Sequence, residues 1–115
     1  MIQKGKYDDF KLFSQDSFDQ FNFCYFCDKE NRSGVGFDKP QIEGSHGSTF
    51  GGVSSESFGH YGFTGSMAWA DPDKNIIFIF LSNRTYPTRE NTLLQTSNTR
   101  TRSQEIVYKS LIDYK

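Results

Sequence analysis

Apolar residues cluster, alternate or recur at helical spacing in only a few stretches of this chain, and each stretch predicts an element. Phe18 and Phe21 lie three apart behind Ser14, a good N-cap, and Asp16 sits where the positive helix end favours it. The spacing predicts a short helix from about Gln15 to Phe21. Phe23 to Phe26 can extend as a strand, Asn31 to Gly36 is turn chemistry, and Val35 and Phe37 suggest a brief strand ending near Asp38-Lys39-Pro40. The clearest pattern comes later: Phe58 to Ala70 reads as a strand interrupted by glycines, Asp71-Pro72-Asp73-Lys74-Asn75 as a turn, and Ile76 to Leu81 as a fully buried strand. Together they predict an antiparallel hairpin in which Trp69 and Met67, alternating with Ala68 and Ala70, pack in the core. Pro87 bars that strand from continuing in a central position. Near the end, Thr101 and Gln104 are spaced as a capping box, and Val107, Leu111 and Tyr114 recur at helical spacing with Ile106 widening the stripe, which predicts a terminal amphipathic helix.

Between these elements, residues 40–57 hold four of the ten glycines and six serines and threonines, a long loop of the kind that is usually functional or mobile. At 115 residues the chain supports one core. Its twelve Phe, six Tyr and one Trp are too many for a disordered chain, and they imply a core that leans on aromatic burial. Thirteen Lys and Arg against fourteen Asp and Glu, without a block of like charge, leave no electrostatic footprint for nucleic acid. No apolar run approaches the roughly 20 residues of a membrane span, and the N-terminal residues do not resemble a secretion signal. Cys24 and Cys27 have C-x-x-C spacing, but their flanks offer no helix start and His46 and His60 are far apart in sequence. Two partly buried thiols are therefore expected rather than a metal or redox centre, and no cofactor. His46 reads as a solvated loop histidine.

The sharpest chemical signal is Phe58-Gly59-His60-Tyr61-Gly62-Phe63-Thr64-Gly65, with three glycines in seven residues. Glycine within a strand marks a place where a ligand or another backbone comes close, and an open edge with free N–H groups beside a histidine can receive a carbonyl oxygen or oxyanion. The residues alone equally allow glycines that merely turn a barrel-like corner or admit a helix.

The run FGHYGFTGSMAWADPDKNIIFIFLSNRTYP resembles the C-terminal strands of the serine β-lactamase and penicillin-binding-protein family, with its related esterases and D-amino-acid peptidases. Asn31 to Pro40 (NRSGVGFDKP) also resembles a segment of bacterial members, some fused behind glycoside hydrolase family 3 domains. The resemblance implies acyl transfer through a serine ester, with a K-T-G or H-T-G triad on the strand lining the site. His60-Tyr61-Gly62 occupies the triad position, so His60 takes the place of the basic residue and the Phe63 backbone N–H that of an oxyanion-hole donor. Tyr61, Gly62 and Thr64 fall where substrate is bound. Imidazoles change charge in the neutral range, which implies a pH dependence that a lysine enzyme lacks. Tyr61 replaces the usual threonine, whose hydroxyl helps hold a substrate carboxylate, so a peptidase or esterase role stands level with β-lactam hydrolysis.

No Ser-x-x-Lys, Ser-x-Asn or Tyr-x-Asn occurs in these 115 residues. The expectation is thus that residues 1–115 form the C-terminal part of a larger enzyme, inactive alone, whose partner is its missing remainder or a second copy and whose substrate is a small molecule or peptide. The expected fold class is α+β: an antiparallel sheet of about three strands (near 34–38, 58–70 and 76–82) under a C-terminal helix, part of a β-lactamase/transpeptidase-like fold, with an exposed apolar face and edge. The competing class is a non-catalytic module whose glycine-rich edge accepts a peptide strand or glycan.

Overall fold

A computed structural model describes residues 3–29, 31–41 and 49–112 of the chain. It opens with a small antiparallel ribbon of β1 (Lys6–Tyr7) and β2 (Phe10–Lys11), whose turn places Asp8 at a φ of 47°. Aspartate is one of the few residues besides glycine enriched there. Helix α1 follows over Gln15–Asn22, and the Ser14 hydroxyl caps it by accepting from the Ser17 N–H at 3.0 Å. Its Phe18 is buried edge-on against Phe58, with ring centroids 5.9 Å apart, and Phe37 leans on the same ring at 5.2 Å. Phe23 to Phe26 form no strand. They lead into a single 3-10 turn, Cys27–Lys29, beside a disulfide joining Cys24 to Cys27, so the expected thiols are bonded to each other.

The main sheet has the order β3 (Phe58–Tyr61), β4 (Met67–Asp71), β5 (Ile76–Phe80), with both pairings antiparallel. Two strand expectations are corrected. Residues 58–70 are two strands folded back on each other, because Gly65 adopts a φ of 96° and lets the Gly62 N–H reach the Ser66 carbonyl at 2.8 Å across a three-residue loop. Residues 34–38 provide only isolated bridges, Ser33 with Asp38 and Asp38 with Gly59: the chain reverses between Ser33 and Asp38, with Gly36 at a φ of 94°, and no length remains for a ladder.

Period-two alternation sorts the faces of the sheet. Met67, Trp69 and Phe78 form the core with Val53, Tyr61 and Phe80 around them, while Ala68 turns to the other face. There, Ile77 and Ile79 are 59% and 61% exposed, so β5 is buried on one face only.

Helices α2 (Leu93–Thr96) and α3 (Thr99–Ile112) complete the α+β architecture. Helix α3 starts before Thr101, which therefore lies inside it rather than at its cap. It meets the core with Arg100, Gln104 and Tyr108, spaced four apart on one face, and leaves Ile106, Val107 and Leu111 exposed. Fixed polar contacts set this rotation: Gln104 Oε1 accepts from the Phe50 N–H at 3.0 Å, and the Tyr108 hydroxyl donates to Asp71 Oδ2 at 3.2 Å. Tyr114 and the centre of the Ser-Gly loop, residues 42–48 with His46, lie outside the described residues. No helix among the described residues is long and apolar enough to cross a membrane.

Burial, and then the charge of Asp71, push the Tyr108 hydroxyl above the ordinary tyrosine value near 10. A group raised on folding contributes fully below its unfolded value and loses that contribution as pH rises through the folded one, so stability should start to fall above about pH 10. Lys39 is buried, with its Nζ donating to Asn22 Oδ1 at 2.9 Å, and desolvation lowers it. Its sign is opposite, since the cost of its buried charge is relieved as pH rises towards the unfolded lysine value. Comparing wild type with Tyr108→Phe removes that shared contribution. The urea midpoint at pH 11, taken relative to that at pH 8, should therefore stand higher in Tyr108→Phe than in wild type, and an identical pH slope in both proteins would refute the assignment.

Candidate functional site

The glycine-rich segment forms β3 and the loop that turns it into β4. His60 sits opposite Ala68, which in turn opposes Ile79, so its side chain leaves the sheet on the solvent-exposed face. Tyr61 leaves on the other face, where its ring packs at 5.9 Å from Trp69 and the Arg100 guanidinium lies 4.9 Å from its centroid. The structure thus separates these two sequence-predicted residues by the thickness of the sheet.

The outer edge of β3 is covered only in part. Gly59 exchanges both backbone hydrogen bonds with Asp38, at 2.8 and 3.0 Å, which occupies the edge at that residue. Past this bridge comes the loop. Gly62 donates to Ser66, and Gly65 N–H donates to the Gly62 carbonyl at 2.9 Å, so Phe63 and Thr64 occupy the two central positions of the turn. Among the described residues no acceptor lies within reach of the Phe63 N–H. The Phe63 ring and Thr64 are exposed, and a Cβ built on Gly62 would meet nothing closer than 3.7 Å. Gly62, Phe63 and Thr64 therefore come together as an open, backbone-rich rim at the end of the strand that carries His60.

The glycines have different causes. A Cβ on Gly59 would lie under 3 Å from the Trp69 ring and the Ala68 carbonyl oxygen, so this glycine serves internal packing, as the corner reading allowed. Gly65 is required by its φ and by Leu94 and Ser82 pressing on it. Of these three, Gly62 alone would give an added Cβ nothing tighter than ordinary contacts, with Ser66 and the Thr64 hydroxyl at 3.7–3.8 Å.

Sequence reasoning missed the groups that hold this loop. Arg84 uses its backbone N–H on the Thr64 carbonyl at 2.8 Å and its Nε on the Phe63 carbonyl at 3.0 Å, with its guanidinium stacked on the Phe63 ring. Arg100 Nη1 donates to the Gly65 carbonyl at 3.3 Å, and the Ser82 hydroxyl to the Thr64 carbonyl at 3.2 Å. The available signal was a cation placed just after a strong strand in Ser82-Asn83-Arg84, facing a glycine loop that exposes several carbonyls.

A family model described as Beta-lactamase matches residues 25–99, more than half of the chain, and spans the segments from Asn31 to Pro40 and from Phe58 to Pro87. No curated protein and no solved structure matches the chain.

Proposed function

The chain belongs to the β-lactamase family, and from that premise we propose that it supplies one wall of a serine-ester acyl-transfer site and is inactive alone. The observation that carries this is the Phe63 N–H just past β3, which has no acceptor among the described residues, on the strand that presents an exposed His60. In this reading the Phe63 N–H receives the developing oxyanion of an amide or ester, His60 acts as the basic group, and Gly62 and Thr64 border the bound acyl group. D-amino-acid peptides, simple esters and β-lactams are the candidate substrates. Tyr61 contributes from the core face, as support for β3. The attacking serine, for which these 115 residues contain no Ser-x-x-Lys, comes from polypeptide that packs on the exposed Ala68, Ile77 and Ile79 face.

The test is covalent labelling with a fluorophosphonate. The chain alone should take no label. Assembled with a family segment that carries Ser-x-x-Lys, it should support labelling of that serine, and His60→Ala should slow the reaction about 100-fold or more, the usual worth of a positioned acid-base group. An adduct on the isolated chain, or an assembled complex that never labels, would overturn the proposal. The second outcome would favour a non-catalytic module whose glycine-rich segment accepts a peptide strand or glycan.

A further inference from the structure

Arg84 makes more contacts with backbone carbonyls than any strand requires. Its Nη1 donates to the Arg89 and Asn91 carbonyls, each at 3.0 Å, which fixes the guanidinium against the segment that follows β5. From that base, Nε reaches the Phe63 carbonyl and the backbone N–H reaches the Thr64 carbonyl. The Gln95 carboxamide, turned so that its nitrogen donates to the Thr92 carbonyl, also accepts from Nε at 2.9 Å.

These anchors determine where the loop amides point. In a trans peptide the C=O and N–H groups face opposite ways. Holding the Phe63 carbonyl on Arg84 therefore sends the Thr64 N–H away from Arg84. Holding the Gly62 carbonyl on the Gly65 N–H likewise sends the Phe63 N–H outward. Among the described residues neither Phe63 nor Thr64 N–H has an acceptor. A hydrogen bond from a cation to the carbonyl end is charge-assisted, and it polarises the peptide so that its N–H becomes the stronger donor.

We infer that Arg84 is the positioning residue of this loop: through the Phe63 carbonyl it holds the Thr64 amide outward, and through the Thr64 carbonyl it keeps the Gly65 N–H on the Gly62 carbonyl, which turns the Phe63 amide outward, so that the two amides offer a paired donor site for the oxygen of an acyl substrate. The use of the site rests on the acyl-transfer reading above, but its geometry does not. The pair adds Thr64 N–H as a second backbone donor beside that of Phe63, and it gives the Asn83-Arg84 run a task at a loop about twenty residues earlier in the chain.

The experiment uses the full chain, labelled with carbon-13 and nitrogen-15, as wild type, Arg84→Ala and Arg84→Lys. In Arg84→Ala the Phe63 carbonyl resonance should move upfield as its charge-assisted bond is lost, and exchange of the Gly65 amide should rise about tenfold or more. Millimolar guanidinium, far below denaturing levels, should restore both. Acetate should shift the Phe63 and Thr64 amide signals together in wild type, and the response should be lost in Arg84→Ala. A role confined to bracing residues 89–91 would leave the Phe63 carbonyl unmoved, and that result overturns the inference, as does an acetate response limited to one amide or absent from both. If Trp69 fluorescence shows that Arg84→Ala does not fold, Arg84→Lys decides the matter, since a lysine keeps the charge without the planar fork and should still displace the Phe63 carbonyl resonance. None of these readouts needs a serine or an acyl substrate. A failed labelling experiment therefore removes the hydrolase reading and leaves this one standing, while an unmoved Phe63 carbonyl does the reverse.

Discussion

Asp71→Ala should destabilise the chain by about 3–5 kcal/mol, a large part of the total stability of a domain this size. Asp71 is fully buried at the end of β4 and accepts four hydrogen bonds. Its Oδ1 takes the Ser54 hydroxyl at 2.6 Å and the Lys74 N–H at 3.2 Å, and its Oδ2 takes the Ser54 N–H at 2.9 Å and the Tyr108 hydroxyl at 3.2 Å. One carboxylate thus ties the 49–57 loop, the β4–β5 turn and helix α3 to the sheet. Truncation strands backbone and hydroxyl donors that water reaches poorly, and each buried unsatisfied group costs about 1–3 kcal/mol.

Asp71→Asn is the sharper variant because it preserves volume. Each oxygen receives one backbone N–H, from Lys74 or from Ser54, and neither of those donors can rotate away. Replacing either oxygen with an NH2 group sets N–H against N–H, so asparagine should still lose about 2 kcal/mol or more. Urea denaturation followed by Trp69 fluorescence measures both variants. An Asp71→Asn midpoint equal to wild type would show that the buried carboxylate does not organise these three segments.

The legibility of this fold in the sequence varied with the kind of signal. Ser14 and Phe18 gave α1 correctly because capping and i, i+3 spacing are local properties. Met67 and Trp69 were legible as core because alternation with alanine leaves only one assignment of faces. Ile76 to Leu81, apolar at every position, carried no such information, and which face lacks a cover depends on what packs there. The 62–66 loop was hidden because a glycine in sequence does not disclose its φ: Gly65 turns the chain, whereas Gly59 continues a strand. The apolar stripe at Ile106, Val107 and Leu111 misplaced the buried face of α3, since Tyr108 and Gln104 are drawn in by polar partners some 37 and 54 residues away in the chain. Of the candidate site, the resemblance pointed to His60, Gly62, Phe63 and Thr64. Arg84 and Arg100 were not, because their partners are backbone carbonyls, which every residue has.

Gly59→Ala should cost about 3 kcal/mol, at the upper end of what overpacking does, while Gly62→Ala, three residues on, should change stability by less than about 0.5 kcal/mol. Gly59 faces Trp69 across the β3–β4 ladder, and the space for a side chain there is already taken by the indole ring and by the Ala68 carbonyl. Trp69 is only 1% exposed and has nowhere to retreat, and the carbonyl belongs to β4 itself, so a methyl group at 59 must pry the two strands apart. Pairing Gly59→Ala with Trp69→Leu should recover part of the loss, roughly 1 kcal/mol of coupling, because the smaller side chain relieves the ring clash and leaves the carbonyl clash. At Gly62 the same methyl meets only Ser66 and the Thr64 hydroxyl, at ordinary van der Waals distances of 3.7–3.8 Å. Thermal denaturation of Gly59→Ala, Trp69→Leu, their double variant and Gly62→Ala separates these effects. If Gly59→Ala melts with wild type, strand packing does not explain the first glycine of the motif, and the ligand reading returns to that position. If Gly62→Ala is silent in stability and yet lowers labelling of the assembled enzyme, the space above Gly62 is where the acyl group lies.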